Sequence, residues 1–315
     1  MKNCIRQELK YVWKSKFLLL FLVLTVITSI FVIWNNCRNV SETNSSYVRL
    51  INYYKNNNLD IDEDLSKSAD VIETGEFDEN GDEYVQIKNP LKHYYSTLQR
   101  QIYVVSNKYV VDQFLEYGIM VFSIIFGIMG TLFSTYDIKN KTIKYKVSRC
   151  GKTKLFLTKQ IVMLGTVAFC VVLSTLLNYI WAPLIRNSML SGIEKIDAGT
   201  FDDNTTNILV KILFGIIIAC VFAEAGYFFG RLFGGNIIPV VALMLYVLLL
   251  SPMGKADLKN CIYVLAMKIY SFLGSYAVND TVRMAGWQAL LGLSVYGVLF
   301  FFGSFIIDKR KSAYV

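Results

Sequence analysis

Long apolar runs separated by polar loops are the dominant pattern of this chain. Six such runs cover residues 17–34, 114–135, 160–182, 208–229, 233–251 and 287–307. Each is close to the ~20 residues that an α-helix needs to cross the ~30 Å hydrocarbon core of a bilayer. Backbone in lipid must satisfy its own N–H and C=O groups, so we expect the runs to be helical. The pattern predicts an all-α polytopic membrane protein with six transmembrane helices.

The longest polar stretch, residues 35–113, follows the first run and is acidic. Within it, Asn80-Gly81 between Phe77 and Tyr84 is typical of a β-hairpin turn. From Pro90 onward, apolar residues recur at helical spacing. We therefore predict a small extracellular α+β insertion between helices 1 and 2.

The distribution of charge predicts the orientation. The chain is 54% hydrophobic and 18% charged, with a net charge of +8. Residues 1–16, 136–159, 230–236 and 308–315 contain 17 Lys and Arg against three acids, whereas residues 35–113, 183–207 and 252–286 contain 14 against 19. The positive-inside rule then places both termini in the cytoplasm of a multi-pass plasma-membrane protein. The positive charge thus reports topology, and no nucleic-acid partner is expected.

Two segments outside the runs have helical apolar spacing. In residues 1–16, Ile5, Leu9, Val12 and Trp13 share one face and the basic side chains point away. This predicts an interfacial amphipathic helix, which serves either as a topology anchor or in docking. Residues 252–286 carry a second apolar stripe and predict a re-entrant or surface-lying outer helix, since the segment is too short to cross and return.

The cysteines and the single histidine offer little chemistry. Cys4, Cys37, Cys150, Cys170, Cys220 and Cys261 show no C-x-x-C spacing. On the predicted orientation only Cys37 and Cys261 face the oxidising side, so we expect free, inert thiols, with a bridge between those two as the alternative. His93 is the only histidine, which excludes a histidine-based metal or catalytic cluster.

Polar residues within the predicted spans are candidates for function. Glu116 lies near the outer end of the second span, where its carboxylate is expected to reach the interface. Glu224 lies deeper in the fourth span and must face the bundle, a water-filled cavity or a partner, so we assign it tentatively to a substrate pathway. Gly226, Gly230 and Gly234 follow at four-residue spacing, which favours close helix packing.

Gly151-Lys152-Thr153 has the ending of a phosphate-binding loop. The full pattern requires a glycine five residues before Gly151, where this chain has Lys146, and no strand precedes it. We therefore predict no nucleotide site, no catalytic residue and no cofactor on this chain, and a separate ATPase subunit wherever ATP is used.

The order of these features resembles the ABC-2 type transporter permeases. In that family a basic amphipathic helix precedes the first span, and the segment after the second span carries an acid, a threonine, a Ser-Arg step and two lysines. The matching positions are Asp137, Thr142, Ser148, Arg149, Lys154 and Lys159. Residues 229–233 and the outer helix before the sixth span are also similar. One departure is the outer loop after the first span, which is longer than in many members.

The resemblance implies a half-transporter. Two permease chains, identical or different, would pair around a pathway, and each would dock on a cytoplasmic ABC ATPase that binds ATP-Mg. Docking would use a helix near residues 140–154, with side chains from Thr142, Val147, Ser148, Arg149, Lys152 and Lys154. Val147, Leu155 and Phe156 would enter a groove while the basic residues pair with acids. The implied cargo is an amphipathic peptide, a lantibiotic-like antimicrobial or a hydrophobic compound, moved outward.

Three alternatives remain open. The basic segment at residues 136–159 is also compatible with a solvated loop that only sets topology. The acidic outer loop favours a second function, a non-transporting membrane sensor or accessory protein that binds a ligand there. An intramembrane enzyme is the third, and it lacks support because Glu224 has no catalytic partner in the sequence pattern.

Overall fold

The computed structural model describes residues 2–14, 16–69, 71–77, 83–193, 201, 206–274, 276, 278 and 281–310. Its elements, in chain order, are α1 (Lys2–Lys14), α2 (Phe17–Asn56), α3 (Ile61–Ser66), β1 (Val71–Phe77), β2 (Glu83–Ile87), α4 (Pro90–Val104), α5 (Val110–Lys139), α6 (Ile143–Cys150), α7 (Lys152–Met189), α8 (Ile208–Phe233), α9 (Ile237–Leu248), α10 (Leu258–Ile269) and α11 (Gly286–Arg310).

Among the described residues, five helices are long and apolar enough to cross a bilayer: α2, α5, α7, α8 and α11. The architecture is therefore that of a polytopic helical membrane protein. The predicted fifth span, residues 233–251, contains the shorter apolar helix α9, which has 12 residues. At 1.5 Å per residue that helix is about 18 Å long, less than the ~30 Å hydrocarbon core.

Two helices are much longer than the apolar runs that predicted them. Helix α2 has 40 residues and α7 has 38. The predicted outer loop that starts at residue 35 is therefore helical up to Asn56, and α7 starts eight residues before the predicted third span. Hydrophobic length marks where a helix can lie in lipid, but it does not mark where the helical backbone ends.

The chain divides into two compact units. The described residues of the first unit lie within 1–31, 111–180 and 203–315. Its core is formed mainly by α5, α7, α8 and the apolar face of α10, with large buried side chains such as Phe122, Phe126 and Tyr227. Helix α5 is the most enclosed of the five long helices, whereas α11 is the most exposed.

The second unit covers residues within 32–110 and 181–202. The helix predicted from Pro90 is confirmed as α4, and the Asn89 side chain caps it by accepting the Lys92 N–H. Asn89 also donates to the Asp64 carbonyl, which ties α4 to α3. Strands β1 and β2 pair antiparallel. The predicted Asn80-Gly81 turn lies outside the described residues.

Glycines let α5 and α8 approach closely within the first unit. A Cβ added to Gly226 would overlap the Gly127 carbonyl, and one added to Gly130 would overlap the Ala223 carbonyl. Thr131 Oγ1 donates to the Gly226 carbonyl at 3.2 Å. The predicted packing role is confirmed for Gly226 and Gly230. Gly234 differs, because it ends α8 with a φ of +68°, a conformation that favours glycine.

Candidate functional site

The carboxylate of Asp137, in the last turn of α5, is the centre of a buried charge cluster. We use this name for Glu8, Asp137, Lys146 and Lys159. Asp137 is 2% exposed. Its oxygens lie 2.5 Å from Lys159 Nζ of α7 and 3.0 Å from Lys146 Nζ of α6. A buried carboxylate is tolerated only when it is paired and hydrogen-bonded, and two ammonium groups meet that need here.

Lys146 connects the charge cluster to α1. Its ammonium group lies 2.6 Å from Glu8 Oε1 and 4.8 Å from the centre of the Tyr11 ring. Burial lowers the pKa of Lys146, but the Asp137 and Glu8 carboxylates outweigh it, so the pKa is raised from its ordinary value. Lys146 therefore stays charged, and it holds α6 against both α1 and α5.

The two ends of α6 are defined by the local sequence. Thr142 precedes the helix, and its hydroxyl donates to Asp137 Oδ1 at 2.8 Å. The acid and threonine singled out by the family resemblance are thus hydrogen-bonded to each other. Gly151 ends the helix with a φ of +78°, a left-handed region that L-residues rarely adopt. This glycine allows α7 to start immediately in a new direction.

A disulfide between Cys4 and Cys150 links α1 to α6. Cys4 lies one turn before Glu8, and Cys150 lies one turn after Lys146, so the bond and the ion pair lie side by side between antiparallel helices. The expectation of free thiols is wrong for this pair. It holds for Cys37, Cys170, Cys220 and Cys261, which are free.

The outward surface of α6 and its flanks is basic. Of the predicted docking residues, Thr142, Ser148, Arg149, Lys152 and Lys154 are exposed and Val147 is half-buried. Lys139, Lys141 and Lys144 are exposed as well. Tyr145 is 66% exposed in the same surface. We call the exposed residues of 139–154 the basic surface; it combines several cations with one large aromatic side chain.

Leu155 and Phe156 do not belong to that surface. They are 4% and 2% exposed, and the Phe156 ring packs against Tyr227 of α8 and against Phe301 and Phe305 of α11. The expectation that they enter a partner's groove is therefore wrong. They start α7 and face the core, because Gly151 reorients the chain between the two helices.

A second buried ion pair joins the same region to α8 and α11. Arg231 of α8 pairs with Asp308 of α11, and the Tyr227 hydroxyl donates to the same carboxylate at 3.2 Å. Through Phe156 and Tyr227, this pair lies against the start of α7. Helix α6 is thus bonded directly to α1 and α5. Phe156 of α7, the helix that follows α6, makes the aromatic contacts to α8 and α11.

Three further charged residues of the first unit, Lys211, Glu116 and Glu224, are buried, and Glu116 differs from its prediction. Lys211 of α8 forms a 2.5 Å ion pair with Asp112 of α5. Glu116 is fully buried and accepts the Phe272 N–H at 3.0 Å, so it holds the segment after α10 and does not extend to a surface. Glu224 is 5% exposed, and neither carboxylate oxygen accepts a hydrogen bond from the described residues.

Sequence reasoning missed Glu8 and Lys146, whose pairing spans 138 residues. No cluster of three or more His, Cys, Asp or Glu side chains suited to a metal ion occurs in the part of the chain that the structure describes. Comparison with protein-family models, with curated proteins and with solved structures finds no match to this chain.

Proposed function

We propose that this chain is the membrane-spanning subunit of an ATP-driven exporter, similar to the ABC-2 type permeases. A separate ABC ATPase would bind and hydrolyse ATP-Mg, and a second permease chain, identical or different, would complete the pathway. The chain itself would carry out no covalent chemistry. Its task would be to convert movement of the ATPase into movement of its spans.

The observation that carries this proposal is the attachment of α6. A partner that pushes on a helix moves the spans only if that helix is fixed to them. Lys146 and the Thr142 hydroxyl fix α6 to Asp137, while Arg149, Lys154 and Tyr145 remain exposed for a partner. Exposed aromatic and Arg side chains are also the residue types that dominate protein interfaces.

The proposed topology has six spans, with α9 as a short fifth span and both termini in the cytoplasm of the plasma membrane. The charge asymmetry of the loops supports it. The basic surface then faces the cytoplasm, where the ATPase is. The second unit, which carries β1, β2 and α4, would be the extracellular insertion between the first and second spans.

The proposed cargo is an amphipathic peptide, an antimicrobial or a hydrophobic compound. Glu224 is the proposed pathway residue. Its buried carboxylate accepts no hydrogen bond from the described part of the chain, which supports this role. A group of that kind is costly in lipid unless a cation, water or a ligand reaches it at some stage of the cycle.

Charge reversal on the basic surface tests the proposal. The variant carrying both Arg149→Glu and Lys154→Glu should lose co-purification with the ATPase and lose ATP-dependent efflux, because both side chains are exposed and acidic partners would be repelled. Lys255→Glu, also exposed but in the loop before α10, is the matched control and should retain both. Unchanged co-purification of the double variant would refute docking through α6.

A membrane sensor is the second candidate, and the division of the chain into two compact units favours it. Residues within 32–110 and 181–202 form a unit of their own, as a ligand-binding domain would. The neighbouring genes distinguish the two functions. An ATPase gene with Walker motifs favours export, whereas a histidine-kinase gene favours sensing.

A further inference from the structure

An apolar cavity of about 650 Å³ lies between α8, α9, the start of α10 and α11. Its volume is within the ~300–1,000 Å³ range of small-molecule sites. Most of the wall is aromatic or aliphatic and is contributed by Phe222, Phe229, Leu243, Tyr246, Tyr296 and Phe300. The wall therefore suits a hydrocarbon chain.

One end of the cavity is polar, and Asp257 is the only charged residue among the described residues that line it. The Asp257 side chain caps α10 by accepting the Lys259 N–H at 3.1 Å. It also accepts the Tyr246 hydroxyl, and its second oxygen accepts the Met253 N–H at 2.8 Å. The ammonium group of Lys259, two residues after Asp257, donates to the Val247 and Leu250 carbonyls.

At this end of the cavity the hydrogen-bond donors are already used, whereas acceptor capacity remains. The Tyr246 hydroxyl donates to Asp257, and the Tyr296 hydroxyl donates to the Ala256 carbonyl at 3.0 Å. Both hydroxyl protons and the Met253 N–H are used within the protein. Asp257 Oδ1 already accepts two hydrogen bonds, from the Tyr246 hydroxyl and the Lys259 N–H. Asp257 Oδ2 and the Ala256 carbonyl each accept one, so each of these two oxygens retains a lone pair.

We propose that this cavity binds an alkyl amphiphile with a primary ammonium head group. The chain would lie among Phe222, Phe229 and Phe300, and the head group would donate to Asp257. A carboxylate or phosphate head group is anionic at neutral pH and would meet the Asp257 carboxylate, so repulsion disfavours it. The inference concerns binding to this chain alone and does not rest on an ATPase partner.

Equilibrium dialysis tests the proposal with three labelled probes: dodecylamine, dodecanol and dodecanoate. The full chain is reconstituted in phosphatidylcholine nanodiscs at pH 7, and uptake by empty nanodiscs is subtracted. We expect saturable binding of one dodecylamine per chain, at least tenfold tighter than dodecanol, with dodecanoate weaker still. Equal uptake by protein-containing and empty nanodiscs, or equal affinity for the amine and the carboxylate, would overturn the proposal.

Three variants locate the site. Ala242→Trp fills the cavity from α9 and should weaken dodecylamine binding at least tenfold, whereas Leu245→Trp, on an exposed position of the same helix outside the lining, should not change it. Asp257→Asn keeps a good capping residue for α10. It should weaken the amine at least tenfold and the alcohol less than threefold.

Folding of each variant is checked by its thermal unfolding midpoint. If Ala242→Trp does not fold, Ala256→Trp fills the cavity from the exposed loop and should give the same loss. Wild-type affinity in a folded cavity-filling variant would place the amine elsewhere and refute the site.

Discussion

Lys146 of α6 and Glu8 of α1 form a 2.6 Å ion pair that is largely shielded from solvent, with side chains 11% and 7% exposed. Lys146 also contacts Asp137, so a single ammonium group holds three helices together. Removing one partner of a buried ion pair strongly destabilises the folded protein, because the other charge is left buried and uncompensated. The short helix α6 is therefore held in place by its neighbours and does not depend on its own eight residues for stability.

Asp137→Asn should be the most damaging single change in the charge cluster. It removes the negative charge between Lys146 and Lys159, and Lys159 is almost fully buried. The expected loss is about 3–5 kcal/mol in the free energy of unfolding, measured by dodecyl sulfate titration in mixed micelles. Glu42→Gln is the control. It breaks the exposed Arg38–Glu42 pair and should cost less than about 1 kcal/mol. Equal effects of the two substitutions would contradict the assigned role of Asp137.

Gly226→Ala should separate α5 from α8. The added methyl group would overlap the Gly127 carbonyl, and backbone cannot move aside as a side chain can. We expect a loss of about 1–3 kcal/mol in the same titration. Gly165→Ala in α7 meets open space, so it should be neutral or stabilising by about 0.5–1 kcal/mol. A neutral Gly226→Ala would show that the two helices are not packed this closely.

The number of cysteines that react with maleimide tests both the fold and the orientation. Denatured protein from an oxidised preparation should take up four maleimides before reduction and six after it, because Cys4 and Cys150 are bonded and the other four are free. In the Cys4→Ser variant Cys150 has no bonding partner, so Cys150 should react before reduction together with the four free cysteines. Six maleimides before reduction of the wild type would contradict the Cys4–Cys150 link.

The same maleimide count, made on acid-quenched cells, reports the compartment in which Cys4 and Cys150 lie. Cytoplasmic thiols are kept reduced, so the proposed orientation predicts six maleimides there. Four would place α1 and α6 on an oxidising side and would contradict cytoplasmic termini.

The sequence was sufficient to predict the features that depend on local pattern. Apolar length predicted the five long helices, and four-residue spacing predicted the packing role of Gly226 and Gly230. Asp137 and Thr142 were singled out by resemblance, and their hydrogen bond is local, five residues apart.

The features that sequence reasoning missed depend on long-range geometry. Cys4 and Cys150 are 146 residues apart, and nothing in their local pattern indicates that they meet. Phe156 was misassigned because the direction of α7 depends on the positive φ of Gly151, which rotates the following residues toward the core. The extensions of α2 and α7 beyond the apolar runs were missed because polar residues also form helices.

Photo-crosslinking from position 145 tests the docking of α6 most directly. A benzoylphenylalanine in place of Tyr145, which is 66% exposed, is activated in intact cells and the adducts are identified by mass spectrometry. The same probe in place of Tyr53, 58% exposed in the second unit, is the control. The account predicts an adduct with a Walker-motif ATPase from position 145 alone. An extracellular protein as the adduct, or no ATPase adduct from position 145, would contradict it.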